Sequence, residues 1–483
     1  MSCAHAPLTI PLLGALGALA ACGAPEGVWP GGDVALVSID TLRADALSCY
    51  GNPRATSPGL DELAAGALRF EHVLAQAPNT ATSHATLFTG LEPWTHRVAN
   101  ITSLEHGTPG LHPAFVTLAE QFADAGFHTA ALTDGGPLGE SWDLLQGFET
   151  VHAQYEDVAT RVDQALELLD GDDGRPLFLF LHTYEVHEPY LPPPELVERF
   201  AGDYDGPLLE ALAEVRAEQD LEGARPNGRR MLLGRASFTD EDVAFLRSIY
   251  EAELAYADAE LARLWPVLIE RDALIAVTSD HGEEFGEHGE FGHKQLYDET
   301  LRVPLILRLP GGAHGGEVVE DVVSLVDLHP TLLRAASLTP TKGTSGVDLL
   351  AALRGEANLG WPSHASTNEH IHPDTATVAW QRSVRTDAYT WVEQIADGGR
   401  GARTGRLFDG ADRLEVRALF EGDPLAENGA SRAAAGLARS VDAQMASAQS
   451  LRAQLLSNAA PATFRAGDAR TVEELRALGY LDD

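Results

Sequence analysis

Three places in this chain set a carboxylate or an imidazole straight after an apolar run. Asp40 follows "VALVSI", His182 and His187 follow "LFLFL", and Asp280 with His281 follows "IAVTS". Such groups can hold a metal ion or move protons. Singly each has an ordinary reading, because Asp and His often cap turns. Jointly they point to one assembled site, since ligands of open α/β sheets bind in the crevice beyond the carboxyl ends of the strands. A fourth stretch, "APNTATSHATLFTG" (Ala77 to Gly90), reads as the start of a helix, with Thr80 at its beginning and His84 one turn later. That pair fits a working nucleophile, a disabled one or a plain helix start.

The elements that must position these residues are legible as alternating periods. "VALVSI", "HTAALT", "PLFLFLHTY", "DALIAVTS" and "VPLILRL" are continuous apolar runs and read as buried strands. Between them, "TSPGLDELAAGALRF", "FVTLAEQFADAG", "DVATRVDQALELLDG" and "TDEDVAFLRSIYEAELAYADAELARLW" have helical spacing. Continuously apolar strands alternating with helices predict an α/β fold, a mostly parallel sheet sandwiched by helices. Beyond about residue 355 the pattern changes. "AWQRSVRTDAYTWVEQI" alternates as half-exposed antiparallel strands do, and "SRAAAGLARSVDAQMASAQSLRAQLL" is Ala-rich and helical. The expected division is a catalytic domain over 33–355, with an insertion at about 195–238, and a smaller α+β subdomain over 356–483.

The whole chain sets further bounds. Its 483 residues suit one large domain with a smaller one attached. A formal net charge of −38 repels nucleic acid and anionic membrane surfaces. A small anionic substrate would therefore need a locally positive site such as a metal ion. Three cysteines, Cys3, Cys22 and Cys49, make neither a disulfide framework nor a zinc ribbon. Leu8 to Ala21 is too short to span a bilayer, which takes about 20 residues, and suits a signal-peptide core. Leu19-Ala20-Ala21-Cys22 resembles the bacterial lipobox, although "MSCAHAP" carries no Lys or Arg. The reading is a leader over 1–21, a tether over 22–32, and a cell-envelope protein whose only membrane contact is a lipid on Cys22. "NIT" at Asn100 reads as a chance sequon, and Cys49 as structural.

Successive blocks then carry a resemblance. "VSIDTLRADALSCYG", "AQAPNTATSHATLFTGLEP", "LFLHTYEVHEPYLPP", "YEAELAYADAEL", "TSDHGEEFGEHG" and "GHKQLYDETLRVPLI" resemble, in order, the signature blocks of the sulfatase family, within the alkaline-phosphatase superfamily. "SLVDLHPTLL" and "EELRALGYL" resemble its later blocks. The resemblance implies a metal held by Asp40, Asp280 and His281, with Thr41 as a poorer ligand in place of a second aspartate. His281 stands where typical members have asparagine, which shifts the preference from calcium towards zinc or manganese. His187 and His293 match positions that hold anionic oxygens or protonate the leaving group. His84, His182 and Lys294 are the implied substrate contacts.

Thr80 falls where the family has its nucleophile, a Cys or Ser in a Cys-x-Pro-x-Arg stretch that is converted to formylglycine. Threonine cannot become that aldehyde, so no formylglycine is expected, and His84 replaces the arginine. The family's Gly-Lys-Trp-His block is missing from "GFHTAALTDGGPLGE". The resemblance thus implies a metal-dependent hydrolase of small anionic esters, sulfate or, favoured by threonine, phosphate mono- and diesters, whether free or carried on a glycan or lipid headgroup. Two alternatives stand beside it: a headgroup transferase of the phosphoethanolamine type, and a catalytically silent binding lipoprotein.

Overall fold

The computed structural model describes residues 32–98, 110–139, 142–171, 173–222, 237–357, 364–371, 378–386, 388–395, 403–409, 418, 420–422, 432–457 and 459. The leader, Cys22, Asn100 and "EELRALGYL" lie outside the described residues.

Fifteen strands are described: β1 (Val34–Ile39), β2 (Leu68–Leu74), β3 (His128–Thr133), β4 (Thr150–Ala153), β5 (Leu177–Thr183), β6 (Leu274–Thr278), β7 (Glu284–Phe285), β8 (Phe291–Gly292), β9 (Arg302–Arg308), β10 (Val318–Ser324), β11 (His364–Ile371), β12 (Val378–Arg385), β13 (Tyr389–Ile395), β14 (Arg403–Asp409) and β15 (Phe420–Gly422). Eight form the central sheet in the order β10-β2-β9-β6-β1-β5-β3-β4. β1 pairs in parallel with both β5 and β6, so the apolar runs of the sequence occupy its middle. Their alternate residues feed two separate cores. Val34, Leu36, Phe178 and Phe180 face one layer, with the helices Thr80–Thr89 and Leu328–Ala335. Ala35, Val37, Leu179 and Leu181 face the other, with the helices Val158–Asp170 and Asp240–Leu261.

Two expectations are corrected. "VPLILRL" forms β9, which is antiparallel to β2 and β6. "TSPGLDELAAGALRF" is helical only to Ala65; Gly66 closes the helix and β2 begins at Leu68. The C-terminal strands β11 to β15 form a separate antiparallel sheet in sequence order. One of its faces packs on the helix Arg432–Leu455 through Val384, Trp391 and Leu407, and Trp94 of the main domain joins that core. Val392 and Phe408, on the opposite face, join the core of the main domain. Among the described residues no helix is long and apolar enough to cross a membrane.

Candidate active site

The carboxyl edge of the central sheet collects the chemistry. β1 ends at Ile39 and delivers Asp40; β6 ends at Thr278 and delivers Asp280 and His281; β5 carries His182, and the loop after it carries His187. All five are buried. The helix Thr80–Thr89 starts against them. Asn79 caps it, its side-chain oxygen accepting the Thr82 N–H at 3.1 Å. Thr80 therefore stands in the first turn, where amide N–H groups and the helix dipole favour negative charge.

The Thr80 hydroxyl donates to Asp40 Oδ2 at 3.1 Å. The same oxygen receives His182 Nε2 at 3.0 Å. Burial pushes His182 down to about 4, so its ring is neutral near pH 7 and its single proton serves Asp40. His281 is oriented by a hydrogen bond from Nδ1 to the Gly282 carbonyl, 3.0 Å. A carbonyl only accepts, so Nδ1 carries the proton and Nε2 faces Asp280 Oδ2 at 3.4 Å and Asp40 Oδ1 at 3.8 Å.

Asp280 Oδ2 and His281 Nε2 are buried and have no hydrogen-bond partner among the described residues. Burial, and then the neighbouring Asp40, raise the Asp280 carboxyl. Ligand atoms of Asp40, Asp280 and His281 all lie within 4.8 Å of one another. A divalent cation with ligands at about 2.0–2.4 Å fits among them and satisfies all three. The residues present thus fit the metal.

Two further imidazoles adjoin this trio. His293 Nδ1 donates to the Pro78 carbonyl at 3.0 Å, and His187 Nδ1 to the Glu188 carbonyl at 2.6 Å. Each ring is thereby oriented through Nδ1. The His293 ring lies 4.5 Å from His281 and 5.3 Å from His187, centroid to centroid.

Four expected contacts are placed differently. Thr41, at φ +54, points its hydroxyl at the carbonyls of Asp40 (2.8 Å) and Val186 (3.1 Å), so it locks the turn instead of serving as a ligand. His84 lies behind Thr80. Its Nδ1 donates to the Thr80 carbonyl at 2.8 Å, its Nε2 accepts the Ser38 hydroxyl at 3.0 Å, and burial lowers it to about 4. His182 buttresses Asp40. Lys294 is half-exposed and its ammonium pairs with Glu290 at 3.0 Å, so "GHK" contributes His293.

Sequence reasoning missed the residues that hold this arrangement still. Ser38 donates its hydroxyl to His84 Nε2, Ser83 Oγ donates to the Asp280 carbonyl at 2.6 Å, and Glu284 Oε2 accepts the Lys294 N–H at 2.8 Å beside His293. Ser38 did leave a signal, as the one polar residue inside "VALVSI".

The Sulfatase family model matches residues 33–338. The chain belongs to the sulfatase family. A second model, N-sulphoglucosamine sulphohydrolase, C-terminal, matches 286–413. The chain is 26% identical to "Uncharacterized sulfatase YidJ" of Escherichia coli (strain K12) over 365 residues, 65% of this chain and 70% of that one. It is 25% identical to Iduronate 2-sulfatase of Homo sapiens over 386 residues, covering 63% of this chain and 69% of the relative. Its fold is similar to the phosphonate monoester hydrolase of Agrobacterium radiobacter, with TM-score 0.67 and 22% identity over 88% of this chain and 96% of that one. This sulfatase-family protein is an ester hydrolase of the alkaline-phosphatase superfamily, and enzymes of the family depend on a metal.

Proposed function

We propose that this sulfatase-family hydrolase cleaves phosphate mono- or diesters by two successive displacements, with Thr80 as the nucleophile. The observation that carries the reading is the Thr80 hydroxyl, 3.1 Å from Asp40 Oδ2, in the first turn of a buried helix beside the cation-fitting trio.

In the first displacement Thr80 gives its proton to Asp40 Oδ2. Its oxygen bonds to phosphorus in line as the bond from phosphorus to the leaving oxygen breaks. That oxygen takes a proton from Nε2 of His187 or His293. A ring whose Nδ1–H is held by a carbonyl can give a proton from Nε2 only as the imidazolium, so the acid is the charged ring. In the second displacement water attacks the phosphothreonine, returns a proton to the same ring, and Thr80 recovers its own from Asp40. A divalent cation held by Asp40, Asp280 and His281 supplies, when bound, the positive charge that an anionic ester and an ionising hydroxyl require; zinc or manganese suits the imidazole. His84 and His182 position Thr80 and Asp40.

Phosphate is favoured over sulfate because a sulfate ester on threonine has no ready exit. Formylglycine releases sulfate through its second hydroxyl, and Thr80 has one. The names of the relatives, a sulfatase acting on iduronate and a phosphonate monoester hydrolase, keep both ester classes in the test. The lipobox-like Leu19 to Cys22 supports a lipid-anchored protein of the cell envelope. Incorporation of labelled palmitate that persists in Cys22→Ser would refute that placement.

Release of aryl alcohol from an aryl phosphate, a bis-aryl phosphate and an aryl sulfate, each with added zinc, manganese or calcium, tests the reading. Faster release from the phosphates, lost in Thr80→Ala, is expected. Preference for the sulfate would overturn the substrate class. No release from any of the three would favour a silent binding protein.

A further inference from the structure

The end of β3 carries a buried ion pair that the two displacements do not use. Asp134 directly follows Thr133, in the stretch that lacks the family's Gly-Lys-Trp-His block. Its partner, Arg161, comes from the helix Val158–Asp170, and Arg161 Nε donates to Asp134 Oδ1 at 2.8 Å. Both side chains are 1% exposed. Taking two charges out of water often costs as much as their attraction returns, and apolar residues of similar volume can serve stability as well. What the pair holds is therefore the better guide to its use.

Its other hydrogen bonds run to the carboxyl edge of the sheet. Arg161 Nη2 donates to the carbonyl of Thr133, the last residue of β3, at 2.6 Å. Asp134 Oδ2 accepts the Tyr184 N–H at 2.9 Å. Tyr184 is the first residue after β5, and its own carbonyl accepts the His187 N–H at 2.9 Å. Within that turn Glu185 accepts the Val158 N–H at 3.0 Å, so the helix that supplies Arg161 also grips the turn by its first residue. Thr41 donates to the Val186 carbonyl from the other side.

The side chains follow this backbone. The Tyr184 ring stands edge-on to two imidazoles, 4.7 Å from His182 with the planes at 84°, and 5.4 Å from His187 at 82°, centroid to centroid. Aromatic rings prefer such T-shaped contacts. His187 Nδ1 is bound to the Glu188 carbonyl, so its ring goes where the turn puts it. A misplacement of about 1 Å can cost about 100-fold in rate.

We propose that Asp134, held by Arg161, is a positioning residue of the active site: through Tyr184 it fixes the turn that carries His187 and aims that ring at the leaving oxygen. The inference rests on the ester-hydrolase reading above and adds to it a device outside the reacting groups.

Two double variants isolate the bond to Tyr184. Asp134→Leu with Arg161→Met replaces the pair by apolar groups and deprives the Tyr184 N–H of its acceptor. Asp134→Asn with Arg161→Met removes the same charges and keeps an acceptor. Both are compared with wild type on the phenyl and 4-nitrophenyl esters of whichever anion the aryl screen selects. Phenol needs a proton to depart more than 4-nitrophenol does, so a displaced acid slows the phenyl ester selectively. The first variant is expected to lose about 10- to 100-fold in kcat/KM on the phenyl ester beyond its loss on the 4-nitrophenyl ester, and the second to keep the wild-type ratio within about threefold. Equal losses on the two esters, or equal behaviour of the two variants, would overturn the proposal and leave the Thr80 chemistry standing. Thermal melts check that both variants keep the fold. If the first does not, Tyr184→Leu with Tyr184→Phe as its control takes their place, with the same contrast expected. If wild type releases alcohol from neither ester, the hydrolase reading fails by itself. Imidazole NMR, with His187 assigned through His187→Gln, then decides the positioning: a His187 resonance moved in the first variant and unmoved in the second supports it, and one alike in both refutes it.

Discussion

Thr80 has one hydroxyl where the formylglycine of typical sulfatases has two, and on the proposed mechanism that difference governs how a covalent intermediate leaves. Thr80→Ala should lower kcat about 1,000-fold or more, because it removes the proposed attacking atom and spares the binding groups. Aryl-ester kinetics check this, and a variant with near-normal kcat would contradict it. His84 makes a different prediction. It hydrogen-bonds the Thr80 carbonyl and the Ser38 hydroxyl, so His84→Gln should lower kcat about 10- to 100-fold with KM little changed. A raised KM with kcat intact would return His84 to the substrate. Asp40, Asp280 and His281 were legible in the sequence because each follows an apolar run that could only be a buried strand. Thr41, His84 and Lys294 were misplaced because a residue's type does not give its direction. Each turned towards a nearby carbonyl, hydroxyl or carboxylate that no spacing reveals.

The helix Thr80–Thr89 and the strand ends that meet it set the site's precision. Its N-terminus depends on the Asn79 cap, so Asn79→Ala should cost about 1 kcal/mol of stability. Because the cap lies next to Thr80, the proposed nucleophile, kcat should fall as well. Urea unfolding with parallel kinetics tests both, and loss of stability without loss of turnover would detach the cap from catalysis. β9 shows why strand direction was harder to read than strand existence. An apolar run looks the same in either direction. The clue lay between the strands: a parallel return needs a crossover of a dozen or more residues, usually a helix. The 23 residues from Ser279 to Leu301 hold the hairpin β7–β8 and only a short helix, Asp298–Leu301. That segment was spent on the site, bringing His293 against Pro78.

Across the whole molecule, buried titratable groups make stability depend on pH in two opposite senses. Burial, and then Asp327, raise Glu92 from 4.5 to about 8. Between those values the folded state holds a proton that the unfolded state has lost, so the stability Glu92 contributes is present below 4.5 and lost as pH rises towards 8. Glu92→Gln should therefore gain on the wild type as pH goes from 5 to 8, by an amount of the order of 4 kcal/mol. Denaturant melts at several pH values test it, and parallel curves would contradict it. His96 and His329 act in the other sense. Burial lowers both from 6.5 to about 3, so their contribution is full above 6.5 and lost as pH falls towards 3. The division into a large α/β layer and a C-terminal sheet was legible as a change of period near residue 355. Their docking was not, because it depends on faces whose register only the fold supplies.

The most direct test is a rapid quench of turnover with an aryl phosphate, followed by peptide mass spectrometry. A phosphoryl group on Thr80, absent from Thr80→Ala and lost again as product accumulates, is the expected result. Turnover with Thr80 unmodified at every time point, or a phosphoryl group on another residue, would contradict the account.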